Sequence, residues 1–474
     1  MAVHDEAPAQ GADQHELKRV MGPGLLLLFI IGDILGTGVY ALTGQVAAEV
    51  GGAAWLPFMV AFAVALLTAF SYLELVTKYP QAAGAALYVH KAFGIHLVTF
   101  MIAFAVMSSG ITSASTAARA FASNLAVGIG WEAGDTGILL VALGFMALVA
   151  AVNLRGVSES VKANVVLTLV ELSGLALVIV VGLWVVAGGD ADWGRVVAFD
   201  TPDDKNVFLS VTTATSLAFF AMVGFEDSVN MAEECKDPHR IFPRMMLTGL
   251  GIAGLIYALV AICAVAIVPV GELAATDTPL VLVVERGAPD FPVDDVLPFI
   301  SMFAVANSAL INMMMASRLL YGMARQDVLP RSLGKVSKRR TPYTAIAFTT
   351  LLSFALIAYV SYASDDAVAV LGGTTSLLLL AVFAVVNIAV LVLRRDPVDR
   401  DHFRTRVPVA LLGAASCLYL VTPLSGRDGQ QYEVAGLLLL LGLLLSVPVY
   451  LHRRRQGERM ELRDPEDIPP HQID

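Results

Sequence analysis

Gly32-Asp33-Ile34-Leu35-Gly36-Thr37-Gly38 lies inside an apolar stretch, residues 24–49, that is long enough to cross a bilayer. A second interruption, Val223-Gly224-Phe225-Glu226-Asp227, lies inside residues 208–235. Each loosens a helix near mid-depth and brings carboxylates there. Open backbone and buried charge are both costly in hydrocarbon unless they line a polar cavity. Two such breaks in comparable positions predict a midplane binding site of a secondary transporter.

The rest of the chain agrees with a membrane setting. It is 57% hydrophobic and 15% charged, where soluble domains carry about 25% charged residues. Spans are predicted at 24–49, 53–77, 95–125, 136–153, 161–187, 208–235, 244–269, 293–325, 343–361, 367–393, 407–422 and 434–452, or about twelve helices by the length rule. The loop after span seven carries Pro279-Leu280-Val281-Leu282-Val283-Val284, read as a short helix at the membrane interface or, nearly as well, as a plain coil.

Charge is sorted between the loops. One set holds Lys78, Lys91, Arg155, Lys236, Arg325, Lys335, Lys338–Arg340, Arg394, Arg395 and Arg453–Arg455. The opposite set holds Glu132, Asp190, Asp192, Asp203, Glu272, Asp277, Asp290, Asp365 and Asp366. Arg195, Lys205, Arg286 and Arg427 run against that trend. The positive-inside rule puts both termini in the cytoplasm of a plasma-membrane, multi-pass protein. Residues 1–20 are polar without an apolar core and read as a cytoplasmic tail, not a signal peptide. Residues 454–474 read as a second tail.

The broken spans open two five-helix blocks, 21–190 and 206–396. Five is odd, so the second block starts from the opposite side, which makes an inverted repeat. Residues 405–453 form two further spans outside it.

The breaks carry complementary chemistry. Glycine costs about 1 kcal/mol against alanine inside a helix, so Gly32, Gly36 and Gly38 weaken one turn. Opening it frees amides at the start of a half-helix, which suit a carboxylate. Gly36 and Gly38 admit a ligand closely, and Thr37 adds a hydroxyl. In span six, the half-helix ending near Val223 and Gly224 exposes carbonyls that suit an ammonium. Glu226 and Asp227 occupy the first turn of the next half-helix, where acids are favoured. Donors on one strip and acceptors on the other fit the zwitterion of an amino acid.

Ile31–Gly44 resembles the first helix of the amino acid–polyamine–organocation (APC) transporters. Tyr79-Pro80-Gln81-Ala82-Ala83-Gly84 with Tyr88 and Ala92-Phe93-Gly94 resembles their loop after span two. Phe219–Glu226, Ala232–Pro238 and Pro243-Arg244 resemble their sixth helix and the loop behind it. Ala316-Ser317-Arg318 through Arg325 and Leu329-Pro330 resembles the end of their eighth. The resemblance implies an all-α integral membrane protein with the LeuT-like five-plus-five inverted repeat and helices one and six broken. By position it implies that the cargo carboxylate rests on Thr37 and the Gly38 amide. The amine then rests on the carbonyls of Ile34, Phe220 and Val223, with Phe220 an aromatic gate and Glu226 linked to gating or proton sensing.

There are departures. Glu171 in span five stands where one branch of the family has a lysine, so the charge is reversed. Asp33 stands where small or neutral residues are common, and Ser317 matches a hydroxyl bordering the same region. Asp33, Glu171 and Ser317 are expected to meet and to form the site of cation coupling, to H+ or Na+.

The expected function is a permease that moves amino acids by alternating access, coupled to H+ or another cation. The alternative is an amine or polyamine permease or exchanger, which the acids Asp33, Glu171 and Glu226 would suit. No cofactor is expected. Cys235, Cys263 and Cys417 are scattered, with no metal-ligand spacing. No GxxxxGK[ST] loop suggests a nucleotide. No nucleophile–base set suggests an enzyme, and nothing in the charge pattern suggests a nucleic-acid partner. The expected partners are a small molecule and the lipid bilayer.

Overall fold

A computed structural model describes residues 21–80, 84–155, 161–290, 296–325, 328–337, 341–364, 366–398 and 401–455. The proposed tail 1–20, all but the first two residues of the proposed tail 454–474, and the Lys338–Arg340 cluster lie outside the described residues. The helices, in chain order, are α1 (Pro23–Val50), α2 (Trp55–Lys78), α3 (Gly84–Phe93), α4 (His96–Gly128), α5 (Asp135–Leu154), α6 (Val161–Gly188), α7 (Trp193–Val196) and α8 (Val207–Ala218). After them come α9 (Pro238–Ile267), α10 (Val270–Ala274), α11 (Pro279–Gly287), α12 (Leu297–Arg325), α13 (Tyr343–Ala363), α14 (Ala367–Leu393), α15 (Val407–Val421) and α16 (Gly429–Arg455).

Among the described residues, eleven helical stretches are long and apolar enough to cross a membrane, and α15 is a shorter apolar helix. Together they correspond to the twelve expected spans. α4 has 33 residues, or roughly 50 Å at 1.5 Å per residue, more than a ~30 Å hydrocarbon core needs. Tilt absorbs the excess.

Burial separates the centre from the periphery. The apolar windows of α1, α4 and α14 are 72%, 78% and 72% buried, but that of α16 is 28%. α1 is the hub, packing against α6, α8, α9 and α12. Pro23 starts it at a position where the missing N–H costs nothing. Gly51 ends it at φ +74°, its N–H donating to the Ala47 carbonyl at 2.7 Å. The outward faces of α5, α6, α13 and α15 expose Leu140, Leu148, Leu183, Trp184, Leu351 and Leu411, which suits contact with lipid chains.

One local expectation is corrected and another is sharpened. The segment after α2 holds a helix, α3, with Tyr88 and Val89 fully buried. The segment Pro279–Val284 is helical, within α11. Its Leu280, Val283 and Val284 are buried, and α11 packs on α6 and α9. Its apolar residues found protein instead of lipid.

Candidate functional site

Both expected breaks are present. In α1, Gly36 leaves helical geometry at φ −6° and ψ −151°. In span six, α8 stops at Ala218, a 3-10 turn covers Phe219–Met222, and Val223 is extended at φ −72° and ψ 145°. Gly224 follows at φ +123°, a region that side chains rarely adopt. A second 3-10 segment, Asp227–Glu234, continues the span.

The breaks cross each other backbone to backbone. A Cβ on Gly224 would lie 2.6 Å from the Asp33 carbonyl oxygen and 3.0 Å from the Ile34 nitrogen. A Cβ on Gly38 would lie 2.7 Å from the Ala221 Cβ. The third wall is α12, where a Cβ on Gly36 would meet the Ser308 hydroxyl at 2.6 Å. The glycines are therefore needed chiefly for this crossing, and only secondarily for helix weakness.

Several polar groups of the crossing are already engaged. The Gly224 N–H donates to Glu226 Oε2 at 2.9 Å, so Glu226 caps the break from within. The Ile34 carbonyl accepts the Tyr257 hydroxyl at 2.6 Å, and the Phe220 carbonyl accepts the Val223 N–H at 3.3 Å. By contrast, Thr37 is 3% exposed and its hydroxyl has no partner among the described residues. A buried hydroxyl left in this state costs roughly 1–3 kcal/mol until something bonds it.

Phe220 is buried and faces inward. Its ring lies 3.4 Å from a Cβ built on Gly372, and Leu42 lies 3.0 Å from the same point. These three close the crossing toward the face with the acidic loops. Further cover there comes from α10, whose Leu273 carbonyl abuts Gly44. The Ser123 hydroxyl of α4 also donates to Asp277 at 3.0 Å. Toward the basic face lies a cavity of about 60 Å³ lined by Tyr72, Ser109, Glu226, Asp227, Asn312 and Thr375, among others. That volume holds a few waters. An aromatic cluster borders it: Tyr72 meets Phe225 at 5.8 Å and Phe383 at 5.6 Å between ring centres.

The coupling candidates lie on α1, α6 and α12. Gly32 abuts Thr168, one helical turn from Glu171, so Asp33 and Glu171 sit on helices packed together at this level. Glu171 is 1% exposed, its Oε1 has no partner among the described residues, and its carbonyl accepts the Tyr40 hydroxyl at 3.0 Å. Ser317 is buried, and its hydroxyl donates to the Met314 carbonyl at 2.9 Å. Ser308, nine residues before it on α12, is the serine that meets Gly36 of the first break. A four-residue spacing of Ser308 and Asn312 marks that face in the sequence, and the Asn312 amide donates to the Ser308 carbonyl at 2.9 Å. Tyr257 had no local signal, because its partner is a carbonyl 223 residues away.

Helices packed to this density around two crossed, broken spans define a multi-pass membrane transporter. The description "Amino acid permease" matches residues 25–442, and the chain belongs to that family, within the APC superfamily. It is similar to the branched-chain amino acid permease BcaP of Bacillus subtilis (strain 168), 26% identical over 95% of this chain and 96% of the relative. It is also similar to the methylthioribose transporter of the same organism, 27% identical over 86% of this chain and 89% of the relative. The L-methionine/branched-chain amino acid exporter YjeH of Escherichia coli (strain K12) is 29% identical over 70% of this chain and 75% of that protein. The chain is an amino acid transporter, not an enzyme.

Proposed function

We propose that this chain is a secondary active permease that moves amino acids across the plasma membrane by alternating access, with both termini in the cytoplasm. The observation that carries the reading is the backbone-to-backbone crossing of the two breaks beside a buried, unpartnered Thr37 hydroxyl. The cargo carboxylate rests on Thr37 and the Gly36 and Gly38 amides, at the positive end of a half-helix. The amine rests on the carbonyls of Ile34, Phe220 and Val223. A carbonyl has two lone pairs, so the bond from Tyr257 leaves room on Ile34. The small cavity and the cover on the acidic face fit a closed phase, and loading requires the walls to part. The blocks 21–190 and 206–396 form the inverted repeat.

Glu171, with Asp33, is the proposed coupling site for H+ or Na+. A carboxylate buried on the flank of the first break, with one oxygen unbonded, is poised to take a proton or a cation. Glu226 links gating to the second break through the Gly224 amide.

The test is uptake into liposomes by the purified protein, with pH or Na+ gradients imposed in turn, beside a thermal-shift screen of amino acids. L-Methionine and, as a branched-chain amino acid, L-leucine come first, since the names of relatives print methionine and the branched-chain class. A true cargo raises the melting temperature by mass action. Glu171→Gln should uncouple uptake from the gradient that drives the parent, and unchanged coupling removes the assignment. Because Glu226 and Asp227 line the cavity, an amine permease is the second reading. Competition by putrescine but not by leucine would favour it.

A further inference from the structure

Arg427 lies in the loop between α15 and α16, outside the two five-helix blocks, yet it is 7% exposed. A guanidinium carries five N–H donors in a rigid planar fork. Those of Arg427 reach five neutral acceptors. They are the carbonyls of Leu420 at 2.6 Å, Gly373 at 2.9 Å and Ser216 at 3.3 Å, the Gln431 side-chain oxygen at 2.8 Å and the Ser376 hydroxyl at 3.0 Å. The Ser376 hydroxyl donates onward to the Ser216 carbonyl at 2.6 Å. Ser216 lies in the last turn of α8, where exposed carbonyls favour a cation. The loop is keyed to the same helix from its other side. The Thr212 and Thr213 hydroxyls donate to the Ser425 carbonyl at 3.2 and 3.1 Å, and Gly426, at φ +80°, leaves no room for a side chain against Thr213.

Both ends of this network bear on Phe220. Ser216 precedes Phe220 by four residues, about one helical turn, so the bonded carbonyl roots the turn that carries the ring. At the other end, neighbouring glycines of α14 serve opposite partners. A Cβ on Gly372 would lie 3.4 Å from the Phe220 ring, whereas a Cβ on Gly373 would run into the Gln431 amide that Arg427 holds. One guanidinium therefore fixes both the root of the ring and the surface on which it rests.

Phe220 stands at a partition. A cavity of about 380 Å³ is lined by Gln45, Ser216, Asp366, Ala369 and Arg427, among others. Gln45, Ser216 and Ala369 lie three or four residues, about one helical turn, from Leu42, Phe220 and Gly372, the residues that close the crossing. Asp366 is one of the acids that mark this face, so the closure separates the cavity from the crossed breaks. Packing of a ring on glycine is non-directional, and the bonds from Arg427 supply direction.

We infer that Arg427 is a positioning residue for Phe220: from a loop outside the repeat, it fixes the turn that carries the ring and the glycine pair that receives it. The inference rests on the transport reading, with Phe220 closing over the cargo, and adds a residue that governs how firmly the cargo is held.

The test uses the full-length protein in liposomes. Arg427→Gln should raise the KM for L-leucine uptake about tenfold, and so should Phe220→Ala. In the Phe220→Ala background, Arg427→Gln should add less than twofold, because the ring it positions is gone. An unchanged KM in Arg427→Gln, or a tenfold rise in both backgrounds, overturns the inference, since a residue that merely supports the fold acts whether or not the ring is present. Should Arg427→Gln fail to fold, Ser376→Ala removes one acceptor and leaves the guanidinium. It should raise KM about threefold in the parent and leave it unchanged beside Phe220→Ala, and equal rises overturn the inference. A parent that takes up no leucine bears on the transport reading alone, and thiol labelling then decides. Leu42, beside Phe220, is 0% exposed. Leu42→Cys should react with a water-soluble maleimide more than tenfold faster when combined with Arg427→Gln or Ser376→Ala, measured against the same proteins without Leu42→Cys. Equal rates overturn the inference.

Discussion

The two breaks look alike in sequence, each marked by glycine beside acids, but they are built differently. The first is one residue wide, at Gly36, and faces a side-chain hydroxyl on α12. The second spans Val223–Glu226, with a glycine at φ +123° pressed on the backbone of Asp33 and Ile34. A side chain can turn away from an intruding methyl group, and a backbone cannot. The first break should therefore tolerate repair, while the second should not.

The largest effect is expected at Gly224. Gly224→Ala forces both an unfavourable backbone region and a 2.6 Å contact with Asp33, at a cost of about 3 kcal/mol or more. Uptake should vanish, and the protein should fail to run as one species in size-exclusion chromatography. Gly36→Ala should also cost uptake, but Ser308→Ala in the same chain should restore much of it, because the clash is with that hydroxyl. No recovery in the double variant would erase the contrast between the breaks.

A smaller loss is expected from Glu226→Ala, which leaves the Gly224 N–H buried without its 2.9 Å partner, worth roughly 1–3 kcal/mol. Glu226→Gln keeps an acceptor and should retain most of the stability in thermal melts. Equal losses in both would show that charge, not the hydrogen bond, holds the second break.

Thr37→Val sharpens the comparison from the other side. The Thr37 hydroxyl has no partner among the described residues, so the melting temperature should not fall. Cargo affinity should drop about five- to tenfold, the worth of one hydrogen bond near 1 kcal/mol. A variant with unchanged affinity would remove Thr37 from the site.

The smallest effect concerns Asp366, which caps α14 through the Ala369 N–H at 3.1 Å. Burial, with Asp277 and Asp428 adding to it, pushes its carboxyl above the usual aspartate range. A raised acid pKa favours the folded state below the unfolded value and loses that contribution as pH rises through the folded one. Asp366→Asn keeps the cap without the charge. It should melt slightly higher than the parent near pH 7 and no higher near pH 3.

Much of this was legible locally. The glycines of both breaks, the number of apolar helices and the sorting of charge between loops all follow from short stretches, since each depends on spacing or composition, whereas the place of Phe220 came from the family resemblance. What was not legible was which distant group each residue meets. Ser308 belonged to no motif, yet helix register set it against Gly36 of the first break. The apolar run 279–284 did not reveal that α6 and α9 would cover it. Arg427 counted only as an exception to a charge rule.

The sequence alone determined that this chain spans a membrane many times and that two of its helices are interrupted, because hydropathy and glycine placement act within a few turns. Tertiary structure decided that the interruptions touch and which side chains saturate them. It also decided that a loop between the last two spans anchors the centre. Those outcomes depend on contacts hundreds of residues apart, and burial makes a hydrogen bond obligatory without naming its partner.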